Sequence, residues 1–211
     1  MCLEYLHSKN IVYRDLKPEN SVCDESGYLY MIDMGTAKFL TEDSGYRSFT
    51  IIGTPHYMAP EILEGKGYGF AADIWSLGIM FYEMVFGNLP FGEDFDDPYD
   101  IYKDIEKSNL YFPLTYKDSK GKDVMKRLMV KNQEKREVED FNIIKTMPFF
   151  QRFDWEGLLK KQMPPPYRPK CHQLKEKKNK NILMSDFLEP MKNTFQKPKK
   201  SAVHPNWDEK F

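Results

Sequence analysis

Between positions 73 and 86 an apolar residue stands on nearly every face of a helical wheel: Ile74, Trp75, Leu77, Ile79, Met80, Phe81, Tyr82, Met84, Val85 and Phe86. A helix that is apolar all round must be buried all round, so it serves as a post about which a globular body packs. Ser76 and Glu83 interrupt the run, which is too short to cross a bilayer. The chain has 211 residues, enough for one domain with an appendage and a substantial core. Three cysteines, Cys2, Cys23 and Cys171, lie far apart and form no C-x-x-C pair. They fit reduced thiols better than a disulfide frame or a zinc site. The first residues lack the charged-then-apolar layout of a secretion signal. The expectation is a soluble, cytoplasmic protein with no transmembrane segment.

Charge is unevenly placed. The whole chain is nearly neutral at -1, yet residues 168–200 hold ten Lys or Arg against Glu176, Asp186 and Glu189, a net +7. The rest is therefore acidic, and each half needs its own explanation. Residues 1–8 read as the end of a helix, and 22–24 with 28–32 as a hairpin around Glu25-Ser26-Gly27. Asp97-Pro98 caps and starts a helix over 98–107. Further helices are expected over 121–130 and 138–145, and a short helical element at 154–159. The character of the sequence changes near Phe153, giving a body of 1–153 and a tail of 154–211.

Two loops carry the chemistry. Val12-Tyr13-Arg14-Asp15-Leu16-Lys17-Pro18-Glu19-Asn20 sets an aspartate and an asparagine five residues apart with a lysine between. Asp33-Met34-Gly35 and then Ala59-Pro60-Glu61 follow in order. This series resembles the catalytic loop, the metal-binding D-F-G and the A-P-E of protein kinases. Tyr13 before Arg14-Asp15, the run from Gly53 to Glu61 and Pro148-Phe149-Phe150 followed by Asp154-Trp155 are similar to the AGC group of Ser/Thr kinases. Gly65-Lys66-Gly67-Tyr68-Gly69, Asp73-Ile74-Trp75 and the ending Asn206-Trp207-Asp208-Glu209-Lys210-Phe211 resemble cGMP-dependent kinases of protists. The likeness covers residues 1 to about 167 and the last few; the basic stretch departs from it.

The resemblance implies a mainly helical C-terminal kinase lobe with a small β-hairpin beside the catalytic loop. An extended AGC-type tail would follow, and the N-terminal β lobe is absent. It implies Asp15 as catalytic base, Lys17 as the phosphate-contacting cation, and Thr54 steadying both. Asn20 and Asp33 would hold Mg²⁺, and Val22 would lie on the nucleotide side. Glu19 and Glu83 would take an arginine ahead of the phosphosite, which suits its bidentate fork. Ile51, Pro55 and Met58 would line the pocket for the residue after it. Thr50 matches an activation-loop phosphothreonine pairing with Arg14 and Lys38. Glu61 would bridge to Arg136, and Asp73 would knit the catalytic loop. Plainer readings stand beside these: Thr50 as a turn residue, His7 and His56 as surface or internally satisfied side chains, and Met34 filling the apolar slot of the usual Phe. Ser21 stands where an aliphatic residue is usual. The acids Glu93, Asp94, Asp96 and Asp97 read as a solvated loop.

Phosphoryl transfer is mostly positioning and charge stabilisation, and its parts are shared between two lobes. The sequence has no Val-Ala-x-Lys, and Gly65-x-Gly67-x-Gly69 lies after the activation segment, where it reads as a turn. Mg²⁺ and ATP are expected in a complete kinase and neither is expected on this chain alone. Met1 falls inside what the family makes a long helix, which leaves an apolar groove. Two explanations follow. The chain is part of a cGMP-dependent kinase acting on substrates with basic residues before the phosphosite. Alternatively it is a non-catalytic scaffold, with protein partners covering the surface of the missing lobe and the basic tail on an acidic surface such as tubulin. The second would place it with the cytoskeleton or cilium.

Overall fold

The computed structural model describes residues 1–136 and 141–168. Its post is α3, Ala71–Phe86, with Trp75, Ile79, Tyr82 and Phe86 fully buried. The helix ends where Gly87 turns left-handed (φ 74°) and donates its N–H to Glu83 O at 2.7 Å. Phe91 stacks on Trp75 with ring centroids 5.8 Å apart. Against α3 lies α5, Ser119–Leu128, contributing Val124, Met125 and Leu128 to the core. Gly78 makes that close packing possible. A Cβ there would stand 2.6 Å from Met129 Cγ and 2.9 Å from Leu128 Cβ. The helix α4, Pro98–Lys107, adds Ile101 and Ile105. Its cap is Asp97, whose carboxylate accepts from Tyr99 N at 2.8 Å, with Pro98 in the first turn.

Ahead of the post, α1 (Cys2–Ser8) leads into β1 (Ile11–Val12). The hairpin is β2 (Ser21–Cys23) and β3 (Leu29–Met31), in register Ser21↔Met31, Val22↔Tyr30 and Cys23↔Leu29. A second pair joins β1 antiparallel to β4, Lys38–Phe39. The described residues are thus mostly helical, with two small two-stranded sheets among them. Short helices α2 (Pro60–Leu63), α6 (Gln133–Arg136), α7 (Asn142–Lys145) and α8 (Trp155–Leu159) complete it. The helix expected over 121–130 begins at Ser119 because Asp118 caps it, accepting from Lys120 N and Gly121 N. Of the expected 138–145 helix, 138–140 lie outside the described residues, as do 169–200 of the basic stretch and the Trp207/Phe211 ending. No helix among the described residues is long and apolar enough to cross a membrane.

Among the described residues, Glu61 and Arg136 form a buried ion pair. Arg136, fully covered, meets Glu61 and also donates to Ala71 O at 3.0 Å and Val130 O at 2.6 Å. Burial pulls the guanidinium below its ordinary range and the Glu61 charge opposes that. With donors this well satisfied the pair holds, but removing one partner would leave a bare buried charge.

Candidate active site

Asp73, in the first turn of α3, organises the loop before the site. Its side chain is fully buried and accepts from Tyr13 N and Arg14 N, each at 2.8 Å, and faces His7 Nε2 at 2.8 Å. Those contacts hold Arg14 in a left-handed conformation (φ 74°), uncommon for a residue with a side chain. Thr36 Oγ1 donates to Tyr13 O at 3.0 Å, and Arg14 Nε donates to Thr36 O at 2.5 Å. The Tyr13 hydroxyl donates to Ile32 O at 2.5 Å, tying the loop to the residue before Asp33. Burial, and after it the charges of Asp15 and Asp33, push the Tyr13 phenol up to about 12.

The backbone then delivers Asp15 into a ring of hydrogen bonds. Thr54 Oγ1 donates to Asp15 Oδ1 at 2.8 Å, and Asn20 Nδ2 donates to Asp15 Oδ2 at 2.9 Å and to Asp15 O at 2.8 Å. Lys17 Nζ lies 3.1 Å from Asp15 Oδ2 and donates to Thr54 Oγ1 at 2.6 Å. Side chains from two distant loops thus fix one carboxylate. Gly53, read from sequence only as the first residue of a motif, is what lets the second loop approach. Its φ is 119°, and a Cβ there would stand 2.5 Å from Arg14 O.

Asp33 is exposed, has a left-handed backbone (φ 61°), and its Oδ1 accepts from Gly35 N at 2.9 Å. Ile32 N donates to Asn20 O at 2.9 Å, so Asn20 and Asp33 sit at the two feet of one hairpin. Because Asn20 Nδ2 is spent on Asp15, its amide oxygen is the atom left for a ligand. That oxygen and the Asp33 carboxylate are hard donors of the kind Mg²⁺ takes, so the residues fit that ion. Val22 stands on β2 opposite Tyr30. Met34, read from sequence as filling an apolar slot, is half exposed. Ser21 is buried.

Glu83 Oε2 accepts from the Tyr57 hydroxyl at 2.5 Å. Burial and the carboxylates of Glu83, Glu19 and Glu93 drive that phenol far above its ordinary value. Glu19 is exposed, Pro55 is half-buried and Met58 is buried, whereas Ile51 projects into solvent. His56 Nε2 meets Phe95 O at 3.0 Å, so both His7 and His56 are internally partnered. Thr50 is exposed, and its carbonyl accepts from the Tyr68 hydroxyl at 2.6 Å. The hydroxyl nearest Arg14 and Lys38 belongs to fully buried Ser48, at 3.3 Å from Arg14 Nη1 and 3.4 Å from Lys38 Nζ. The sequence reading did not single out Ser48, since nothing in its spacing sets it apart from Thr50.

The model of the protein kinase domain family matches residues 1–150. The cGMP-dependent protein kinase of Toxoplasma gondii is 44% identical over 173 residues, covering 81% of this chain and 17% of the relative. That of Plasmodium berghei (strain Anka) is 44% identical over 169 residues, 79% of this chain and 19% of the relative. The human cAMP-dependent protein kinase catalytic subunit PRKX is 41% identical over 171 residues, 80% of this chain and 46% of the relative. This chain belongs to the protein kinase family, and it spans less than half the length of each of these relatives.

Proposed function

We propose that the chain is the C-terminal lobe of a Ser/Thr kinase of the cyclic-nucleotide-dependent kind. When completed by an upper lobe it would transfer phosphate from ATP to Ser or Thr of substrates with basic residues before the phosphosite. The observation that carries this reading is the ring joining Asp15, Lys17, Asn20 and Thr54. An aspartate held on both oxygens is oriented to take a substrate hydroxyl proton, and the adjacent ammonium offsets charge on the phosphoryl oxygens. Asn20 and Asp33 would hold Mg²⁺, which when bound supplies charge neutralisation at the phosphates. Glu19 and Glu83 give a negative wall suited to an arginine. Phosphate on Thr50 would bring charge to Arg14 and Lys38, with Ser48 already between them.

The 211 residues alone are read as non-catalytic, since the phosphate-covering loop and the nucleotide lysine are the other lobe's part of the mechanism. Leu29, Met34 and Phe39 are large apolar side chains left exposed, which supports a cover over them. That cover is an upper lobe in the same polypeptide, or in the scaffold reading a partner protein. The test is phosphorylation of an arginine-containing serine peptide by the native polypeptide purified from its own cells. Transfer lost in Asp15→Asn supports the kinase reading, and equal transfer by both forms rejects it.

A further inference from the structure

The hairpin whose feet carry Asn20 and Asp33 is held from outside by a later part of the chain. The Tyr28 hydroxyl donates to Met163 O at 2.7 Å. Lys161 Nζ donates to the Tyr30 hydroxyl and lies 4.0 Å from Asp24 Oδ2. Gly27, at the turn with φ +86°, lies directly beneath the same strap. A Cβ built there would stand 2.6 Å and 2.8 Å from Pro165 Cβ and Cγ, and would also run into the Tyr167 carbonyl oxygen. Backbone atoms do not yield as the end of a flexible side chain does, so the strap lies where it does only because position 27 has no side chain.

Leu29 and Tyr30 on the hairpin remain 47% and 41% exposed, and the hydrogen bonds that tie residues 161–163 to it come from the Tyr28 hydroxyl and Lys161 Nζ. The hairpin is three register pairs long, and the next hydrogen bond, Ile32 N to Asn20 O at 2.9 Å, already adjoins Asp33. Only these three pairs separate the turn from both feet, a short path for a shift imposed at the turn.

We propose that Gly27 is a positioning residue. By seating residues 161–167 on the hairpin turn it sets the spacing of the Asn20 and Asp33 oxygens. Its effect on cation binding rests on the metal reading above, while its effect on the hairpin does not.

The test reads hydrogen exchange of the Ile32 amide in the 211-residue chain and, because that chain alone is not expected to hold the cation, reads binding of Mn²⁺ as a paramagnetic probe in the completed kinase. Two variants attack the strap independently: Gly27→Ala, and Tyr28→Phe with Lys161→Ala, which leaves the turn's backbone untouched. Gly45→Ala is the control, since Gly45 is also left-handed (φ +59°) but has nothing within 4 Å of where a Cβ would stand. The expected result is several-fold weaker Mn²⁺ binding and several-fold faster Ile32 exchange in both strap variants, with neither changed in Gly45→Ala. Unchanged Ile32 exchange in Tyr28→Phe/Lys161→Ala overturns the proposal, and that variant decides if Gly27→Ala does not fold. If Asp33→Asn, with the strap unaltered, leaves Mn²⁺ binding intact, the metal reading fails instead, and Ile32 exchange alone then judges the strap.

Discussion

The Thr54 hydroxyl donates a hydrogen bond to Asp15 Oδ1 at 2.8 Å and accepts one from Lys17 Nζ at 2.6 Å. One hydroxyl thereby orients both the carboxylate and the ammonium, and does so from a loop 39 residues away from Asp15. Thr54→Ala should cost the completed kinase about 100-fold in kcat, the scale of a lost orienting group, and leave stability within about 1 kcal/mol. Thr54→Ser, which keeps the hydroxyl, should restore most of the rate. Steady-state kinetics with thermal melts of the three forms checks this.

Asp73 is the deepest charge in the site, with two backbone N–H groups and His7 around it. Asp73→Ala leaves those donors buried without an acceptor, at a cost of about 3 kcal/mol or more. Urea unfolding of the 211-residue chain should show it. A loss below about 1 kcal/mol would mean that the loop does not hang on α3.

The Glu61–Arg136 pair should behave asymmetrically. Arg136→Met alone strands a buried carboxylate and should destabilise by about 3–5 kcal/mol, while Glu61→Leu with Arg136→Met should recover much of that. A double-mutant cycle by denaturant unfolding gives the coupling.

Tyr13 predicts an alkaline limb. The unfolded phenol loses its proton near 10, whereas the folded one, neutral in its buried setting, holds it to about 12. The unfolded state therefore releases the proton first as pH rises. The stability this group contributes is complete below pH 10 and is lost progressively as pH climbs toward about 12. Tyr57 and Tyr82 are shifted in the same direction, so the contribution of Tyr13 is the difference from Tyr13→Phe. Unfolding free energy measured from about pH 9 to about pH 12 should fall less steeply in that variant.

Glu19 is exposed and close enough to Tyr57 to act on its phenol, on the wall read as taking an arginine. Glu19→Gln should lower kcat/KM of the completed kinase for an arginine-containing peptide by about 2 kcal/mol, roughly 30-fold, chiefly through KM. A peptide with alanine in place of that arginine should be affected little.

The sequence made much of the body legible, and the reasons differ by element. The post α3 declares itself because burial on every side leaves no polar stripe. The start of α4 was readable from Asp97-Pro98, whose capping chemistry is local. The β1–β4 pair was not, since two-residue strands so far apart in the chain carry no periodicity of their own. Asp15, Lys17 and Asn20 stand on one short loop and could be read together. Gly53 and Ser48 could not, because their importance comes from what another loop places above them: the Arg14 carbonyl in one case, and the Arg14 and Lys38 cations in the other. The half-exposure of Met34 was not legible either. Its surroundings depend on a covering surface and not on its neighbours in sequence.

The most direct test of the central claim is phosphoryl transfer by the native polypeptide, isolated from its own cells through an antibody to residues 98–107 and compared with Asp15→Asn expressed in the same cells. Transfer from ATP to an arginine-containing serine peptide that falls at least about 1000-fold in Asp15→Asn is the predicted result. Transfer that survives the substitution, or a native polypeptide that gives none with Mg²⁺ and ATP present, would contradict it.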